Sequence, residues 1–420
     1  MLNCLHNFEN VVDSVTPSAA YVHIPFCRRR CYYCDFPVSV VGDKATGSTS
    51  GTIEQYVKVL CQEIETTPHL GSSLETVFFG GGTPSLLAVE QLESLLDRLD
   101  QRFGIATKAE ISIEMDPGTF SLEQLKGYQD AGVNRVSLGV QAFQDELLAI
   151  CGRSHQSNDI FAAVELIRQV EISDFSLDLI SGLPHQTLEQ WQASLEAAVN
   201  LAPTHISSYD LIIEPVTAFG RQYNPGTKPL PTDDTAAKMY QLAQQVLTHA
   251  GYEHYEISNY ALPTHQCRHN RVYWENRSYY GFGMGAASYV QGYRFTRPRT
   301  RREYYAWVQQ LIDAGGVLDG QELSTQDVLL ETLMLGLRLA QGLSLSTLNL
   351  QFGEKTLEQI WTALRPYYRQ GWVQVVGTDG ESVELQDVQT LPTNGHLRLS
   401  DPEGFLFSNT VLAALFSRLS

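Results

Sequence analysis

The 420-residue sequence predicts an α/β protein: an open or partial (β/α)6 barrel followed by a smaller, mostly helical domain. Three observations carry that expectation. From Ala20 to about Gly251, six short β-rich runs alternate with longer stretches of helical period, the pattern that yields parallel strands joined by crossover helices. The polar and conformationally unusual residues of this region fall at or just beyond the ends of those runs, where the strands of a barrel converge on one mouth. From residue 303 onward, helical period dominates.

The β-rich runs, in order, are Tyr21-Val22-His23-Ile24, Thr76-Val77-Phe78-Phe79, Glu110-Ile111-Ser112-Ile113-Glu114, Arg135-Val136-Ser137-Leu138, Phe175 to Ile180 and His205 to Tyr209. Between them, Tyr56, Val57, Leu60 and Ile64 share one helical face. So do Leu92, Leu95, Leu96 and Leu99, and then Leu188, Trp191, Leu195 and Val199; Met239, Leu242, Val246 and Leu247 follow the sixth run. Cys27, Gly80 to Thr83, Glu114 to Gly118, Gln141, Asp178 and Glu214 stand where the mouth is expected. Helical period resumes over Tyr304 to Ala314, Asp327 to Ala340 and Leu357 to Tyr368, before β-like runs at Trp372 to Val376 and Val383 to Leu385. The chain therefore divides into a tail (1–20), a barrel (21–255), an aromatic- and Gly-rich connection (256–302) and a C-terminal domain (303–420).

The net charge of −18 makes the surface repel phosphate backbones, so nucleic-acid binding is not expected. The first twenty residues carry Glu9 and Asp13 but no Lys or Arg and no apolar core, unlike a targeting segment. No apolar run approaches the roughly 18 residues that span a bilayer. Seven cysteines, three of them crowded into eight positions, suit a reducing compartment and a metal site better than a disulfide framework, so the chain reads as cytoplasmic.

That crowding is Cys27-Arg-Arg-Arg-Cys31-Tyr-Tyr-Cys34, directly after the first run. Three thiolates on a short loop leave one iron of a [4Fe–4S] cube open to an external ligand. A structural zinc site is the alternative, but it wants a fourth ligand that His23 is badly placed to supply; unrelated core thiols are the other. Cys4, Cys61 and Cys151 read as ordinary buried thiols. Gly80-Gly81-Gly82-Thr83-Pro84 allows a ligand or another backbone to approach without Cβ interference, or forms a plain tight turn.

The triad, with Tyr33 between its last two members, resembles the radical S-adenosylmethionine (SAM) superfamily. More narrowly, Tyr21-Val-His23-Ile-Pro-Phe-Cys27 and the motifs that follow look like the oxygen-independent coproporphyrinogen dehydrogenase family and its heme-chaperone branch, in order from Tyr21 to about Tyr289 and more weakly through the C-terminal domain. The resemblance implies one [4Fe–4S] cluster on Cys27, Cys31 and Cys34, with the amino and carboxylate groups of SAM on the open iron. It places Gly81, Gly82 and Thr83 at the aminoacyl part of SAM, and Glu114, Gln141, Arg153 and Asp178 at further SAM contacts. Tyr21, Tyr33 and Ile212 would pack around adenine or cluster. Without a ligand, the same polar residues would have to form a mutual salt-bridge network.

Two features separate the branches. As the resemblance has it, dehydrogenases carry another cysteine two places after the triad and a longer N-terminal segment; here Phe36 occupies that position and twenty residues precede Tyr21. Cys267-Arg268-His269-Asn270-Arg271-Val272-Tyr273-Trp274 resembles the heme-binding motif of the chaperone branch, with His269 as axial ligand, Cys267 as an alternative second ligand, aromatic faces for the macrocycle and Arg268 and Arg271 for its propionates. The implied function is a heme chaperone that passes heme to acceptor hemoproteins, more carrier than catalyst, a homodimer being among the arrangements allowed. The alternatives are oxidative decarboxylation of coproporphyrinogen III to protoporphyrinogen IX, or another radical SAM reaction such as methyl transfer. The arginine cluster from Arg297 to Arg302 reads as solvated surface ahead of a heme contact. Gly281-Phe-Gly283-Met-Gly285-Ala286 precedes a β-like run, not a helix, so it is not a dinucleotide fingerprint.

Overall fold

The computed structural model describes residues 16–316, 321–378, 380–384 and 391–419. Cys4 and the end of the β-like run at Val383 to Leu385 lie outside those residues. The chain folds as two compact units, one running to Met239 with Cys267–Val272 and Arg277–Glu322, the other comprising Tyr240–Gln266, Tyr273–Asn276 and the residues from Leu323 onward.

In the first unit all six expected strands form: β1 (Ala19–Ile24), β2 (Leu74–Gly81), β3 (Ile105–Met115), β4 (Arg135–Gln141), β5 (Asp174–Ser181) and β6 (His205–Asp210). Each pairs in parallel with the next. The helices between them are α1 (Gly51–Thr66), α2 (Val89–Phe103), α3 (Leu122–Asp130), α4 (Ser157–Gln169) and α5 (Leu188–Asn200), and α6 (Asp233–His249) follows β6. Their starts are written in the sequence. Ser50 and Ser121 accept N–H bonds from Ile53 and Gln124, and Thr187 with Gln190 makes a reciprocal capping box. The expected faces are the buried ones: Tyr56, Leu60 and Ile64 on α1, Leu92, Leu95 and Leu99 on α2, and Trp191 and Leu195 on α5 are fully covered.

Sequential parallel pairing makes a barrel wall whose two faces differ in chemistry. Val22, Val77, Phe79, Ile111, Ile113, Val136, Leu138, Leu177 and Ile206 are buried along one face. The alternate residues form cross-strand rows through the register: Tyr21, Phe78, Ser112 and Arg135 in one, and Gly80, Glu114, Ser137, Ser176 and His205 in the next. The inner face is thus polar and titratable, and its upper row opens toward the loops after the strands.

The stretch 256–302 is more than a connection. Tyr280–Phe282 adds a further parallel strand beside β1, and Ala287–Val290 pairs antiparallel with Tyr293–Thr296. Arg297 departs from the solvated cluster expected there: it is 2% exposed, and its Nε donates to Glu63 Oε1 at 2.8 Å and its Nη1 to Ser288 Oγ at 2.6 Å. Sequence does not reveal this, because a buried Arg is distinguished from a surface one only by its distant partner. The helix Arg301–Asp313 follows and belongs to the barrel unit, although sequence places it at the start of the C-terminal domain.

The second unit holds a short hairpin (Glu253–Glu256 with Asn259–Ala261), helices Thr325–Gly336, Leu345–Phe352, Glu354–Arg369 and Ser408–Leu419, and a three-stranded sheet in which His396–Leu399 lies between Leu343–Ser344 and Val373–Val376. Leu333, Leu337, Trp361, Leu364, Val375, Leu397 and Leu415 form its apolar core. Among the described residues, no helix is long and apolar enough to cross a membrane.

The Glu63–Arg297 pair generates a stability prediction. Arg297→Leu strands a buried carboxylate and should cost about 3–5 kcal/mol, whereas the double replacement Glu63→Leu with Arg297→Leu should recover much of that loss. Urea unfolding of the three variants measures both; equal losses for single and double variants would contradict it.

Candidate cofactor site

The chain leaves β1 at Ile24 and enters the cysteine loop. Phe26–Cys27 pairs in parallel with Ser39–Val40, so the loop closes on itself: the Ser39 N–H donates to Pro25 O at 2.6 Å and the Val41 N–H to Cys27 O at 3.0 Å. Inside it, the Cys34 N–H donates to Cys31 O at 3.2 Å, the Tyr32 N–H to Cys151 O at 3.0 Å, and the Arg30 guanidinium to Cys34 O at 3.2 Å. All three triad cysteines are reduced and partly accessible. Burial pushes the Cys27 thiol up to about 12, with Asp116, Cys31 and Cys34 adding to the rise; burial also raises Cys34. Thiols so placed stay protonated until a cation compensates them. Cys31 adds to the rise of both Cys27 and Cys34, so the three thiols are electrostatic neighbours. The other zinc donor weighed from sequence is engaged: His23 Nε2 lies 3.0 Å from Pro37 O and Nδ1 3.0 Å from Tyr21 Oη, and burial lowers its pKa to about 4.

The exit of β2 is bonded to the exit of β1. The Gly82 N–H donates to Ile24 O at 2.8 Å and the Thr83 N–H to Phe26 O at 2.7 Å. Only glycine fits here. Gly81 has φ 115° and a Cβ would collide with the His23 ring, while a Cβ on Gly82 would stand 2.7 Å from Phe26 O and 2.9 Å from Cys27 Sγ. The Gly81 N–H donates to Glu114 Oε2 at 2.8 Å, and Thr83 Oγ1 donates to Asp116 Oδ2 at 3.0 Å.

Arg153 links this corner to the triad. Its Nη1 lies 3.4 Å from Cys31 Sγ, and its Nη2 donates to Gly139 O at 2.8 Å and to Asp116 Oδ1. Burial opposes its charge, but Asp116, Tyr33 and Cys31 outweigh that and hold it firmly protonated. A narrow cleft lined by Cys31, Thr83, Asp116 and Arg153 opens at this point. Asp178 on β5 accepts from Ser137 Oγ at 2.9 and 3.0 Å, and burial raises its pKa. Burial pushes Glu114 up to about 8, the Gly81 N–H opposing, with Asp178 and Asp116 adding to the rise. Gln141 ends β4 with φ 68° at a register shift. Tyr21 stacks on Phe78 at 6.3 Å and Tyr33 packs against Phe219 at 6.5 Å. Ile212, after β6, is 70% exposed.

Several participants have no individual role legible in the sequence. Asp116 joins Thr83 to Arg153, although it stands in an Asp-Pro-Gly turn just past a strand, which is a usable signal. Gly139 is needed because a Cβ there would lie 2.9 Å from Asp116 Oδ1 and 3.2 Å from Arg153 Nη2. Cys151, expected as an ordinary core thiol, is buried and adjacent to the triad, with a pKa raised to about 12 by burial and then by Cys31.

His269 lies lower on the inner face. The helix Arg268–Trp274 begins on Glu110, whose carboxylate accepts the Arg268 and His269 N–H groups at 3.0 Å each, and Cys267 Sγ donates to Glu110 Oε1 at 3.5 Å. The His269 ring stacks on Phe78 at 5.2 Å, its Nδ1 is 2.8 Å from Thr76 Oγ1, and it is 1% exposed. Burial lowers its pKa to about 3, so the imidazole is neutral but covered. The Arg268 guanidinium donates to Lys108 O at 2.9 Å. Tyr273 and Trp274 group with the second unit.

The chain is similar to known proteins. Residues 21–198 match the Radical SAM superfamily and residues 323–378 the HemN C-terminal domain. The heme chaperone HemW of Synechocystis sp. is 48% identical over 98% of this chain and 99% of its own length. That of Bacillus subtilis is 37% identical over 78% of this chain and 84% of its own. The solved coproporphyrinogen III oxidase (HemN) from Escherichia coli, a radical SAM enzyme, superposes with a TM-score of 0.77 at 25% identity, covering 96% of this chain and 90% of that one.

Glu114 makes the cofactor-free protein pH-sensitive. A carboxyl raised to about 8 in the fold from an ordinary 4.5 holds more protons folded than unfolded between those values, so stability falls as pH rises from about 5 to 8. Glu114→Gln should flatten that decline in urea unfolding at pH 5 and 8; an unchanged slope would refute it.

Proposed function

The chain belongs to the heme chaperone HemW family of radical SAM proteins, and from that premise we propose that it is a heme carrier that delivers heme to acceptor hemoproteins. Membership in this superfamily implies a [4Fe–4S] cluster and SAM. The observation that carries the reading is the convergence of Cys31, Arg153, Asp116, Thr83 and Glu114 on one barrel mouth.

In this reading Cys27, Cys31 and Cys34 ligate the cluster, which when bound supplies an open iron and an electron to SAM. Arg153 stabilises the Cys31 thiolate and is itself charge-balanced by Asp116. Gly81, Gly82 and Thr83 let the aminoacyl end of SAM lie against the backbone, where Glu114 and Asp178 can receive its ammonium and ribose hydroxyls by losing their protons or accepting hydrogen bonds. Gln141 adds an amide to that contact set, while Tyr21, Tyr33 and Ile212 contribute apolar surface. His269 provides a neutral nitrogen for heme iron. Its covered ring means that coordination requires the helix Arg268–Trp274 to release Thr76 and turn the imidazole outward.

Coproporphyrinogen decarboxylation is the competing reading, supported by the fold likeness to HemN. Phe36, 62% exposed where the dehydrogenases are expected to carry a cysteine, favours the carrier.

Anaerobic reconstitution tests the scheme. The native chain should bind about four irons and heme without converting coproporphyrinogen III; turnover with SAM consumption would overturn the carrier reading. Cys31→Ala should lose the cluster, and retention of four irons would refute the triad. His269→Ala should keep the cluster yet weaken heme binding at least about tenfold in a spectral titration; undiminished affinity would remove the assignment.

A further inference from the structure

The segment Gly281 to Arg299 makes contacts with the cysteine loop that the proposed function does not use. Its base is buried: Arg297 pairs with Glu63 Oε1 at 2.8 Å, while Glu63 Oε2 accepts the Gly283 N–H at 2.9 Å and the Tyr304 hydroxyl at 2.6 Å. The Met284 N–H donates at 2.9 Å to the Tyr56 hydroxyl, which in turn donates to His23 O at 2.8 Å, tying the segment to the end of β1.

From this base it reaches the stretch immediately after Cys34. Gly285, at φ 76°, packs so tightly on the Pro37 ring that a Cβ would collide with it. Arg299 Nη2 donates to Asp35 O at 2.6 Å. His23 Nε2, 3.0 Å from Pro37 O, fastens the same stretch from β1. Asp35 and Pro37 flank Phe36, so the backbone leaving Cys34 is held on both sides, and the Arg30 guanidinium adds a bond to Cys34 O from within the loop.

We propose that Arg299 and Gly285 are positioning residues for Cys34: by fixing Asp35 to Pro37 they set where the third sulfur meets iron. This rests on the reading of the triad as cluster ligands. The Phe26–Cys27 pairing and the Arg30 guanidinium on Cys34 O hold the loop from within; without the outer clamp the stretch after Cys34 would be tied only to its own loop and to His23, letting Cys34 swing and admitting oxidant to the iron it holds.

The test uses full-length Arg299→Ala, Arg299→Lys and Gly285→Ala, with Leu350→Ala at a 76% exposed site as control. Two rates are measured: hydrogen exchange of the Asp35 and Phe36 amides in iron-free protein, and loss of the cluster's visible absorbance in air after reconstitution. Arg299→Ala should speed both about fivefold, as expected for losing one charge-assisted bond, with Lys restoring most of the effect and the thermal midpoint unmoved. Gly285→Ala should do the same or more; if it fails to fold, Arg299→Ala decides alone. Rates within twofold of native for Arg299→Ala overturn the proposal, as does faster exchange with unchanged cluster lifetime. The exchange arm needs no iron, so failure of the clamp is distinguishable from failure of the triad assignment, which Cys31→Ala reads separately.

Discussion

The close approach of the first two strand exits is the constraint from which the rest of the site follows. The Gly82 and Thr83 amides bond to Ile24 and Phe26 carbonyls, and this is open only to a chain that carries glycine at 81 and 82, where a Cβ would strike the His23 ring, the Phe26 carbonyl or the Cys27 sulfur. Once the exits meet, Cys27 is fixed beside Gly82, the Gly81 amide points at Glu114, and Thr83 faces Asp116. The triad and the carboxylates are then neighbours, although they are distant in sequence.

That juxtaposition is electrostatically costly. Glu114, Asp116 and Asp178 share a buried mouth with three thiols, and Arg153 brings a positive charge onto Asp116 and Cys31. The fold manages this with protons: Glu114 and Asp178 are shifted upward, and the Cys27 and Cys34 thiols stay neutral. A site whose carboxyls and thiols are shifted upward by burial is suited to a ligand that brings ammonium and hydroxyl donors, and to iron that brings charge to the sulfurs. Burial likewise keeps His269 neutral lower in the barrel, where Phe78 stacks between its ring and Tyr21.

Much of this was legible in one dimension. The six strands and their helices appear where alternation and helical period placed them, because each element's apolar face is a local pattern that any burial must satisfy. The triad, the glycine run and Glu114 were legible because unusual residues at strand ends stand out. Cys151 is the buried thiol the sequence leads one to expect, while Arg297 is not the solvated residue expected; in both cases the neighbour, Cys31 or Glu63, is illegible because nothing beside the residue in sequence points to it. The strand Tyr280–Phe282 was overlooked because three residues within a Gly-rich stretch carry too short a pattern to read.

The sequence by itself determined the six barrel strands, the helices between them, the barrel class and the crowding of three thiols just past the first strand, since these depend on residue type, spacing and the steric freedom of glycine. Tertiary structure alone decided which acids share the mouth, that Arg153 rests on Cys31 and Asp116, that Arg297 is buried, and that the His269 ring is covered. Those facts depend on which strands become neighbours and how deep each side chain sits, and burial converts ordinary carboxyl, thiol and imidazole groups into shifted ones. Charge and accessibility are properties of the packed chain.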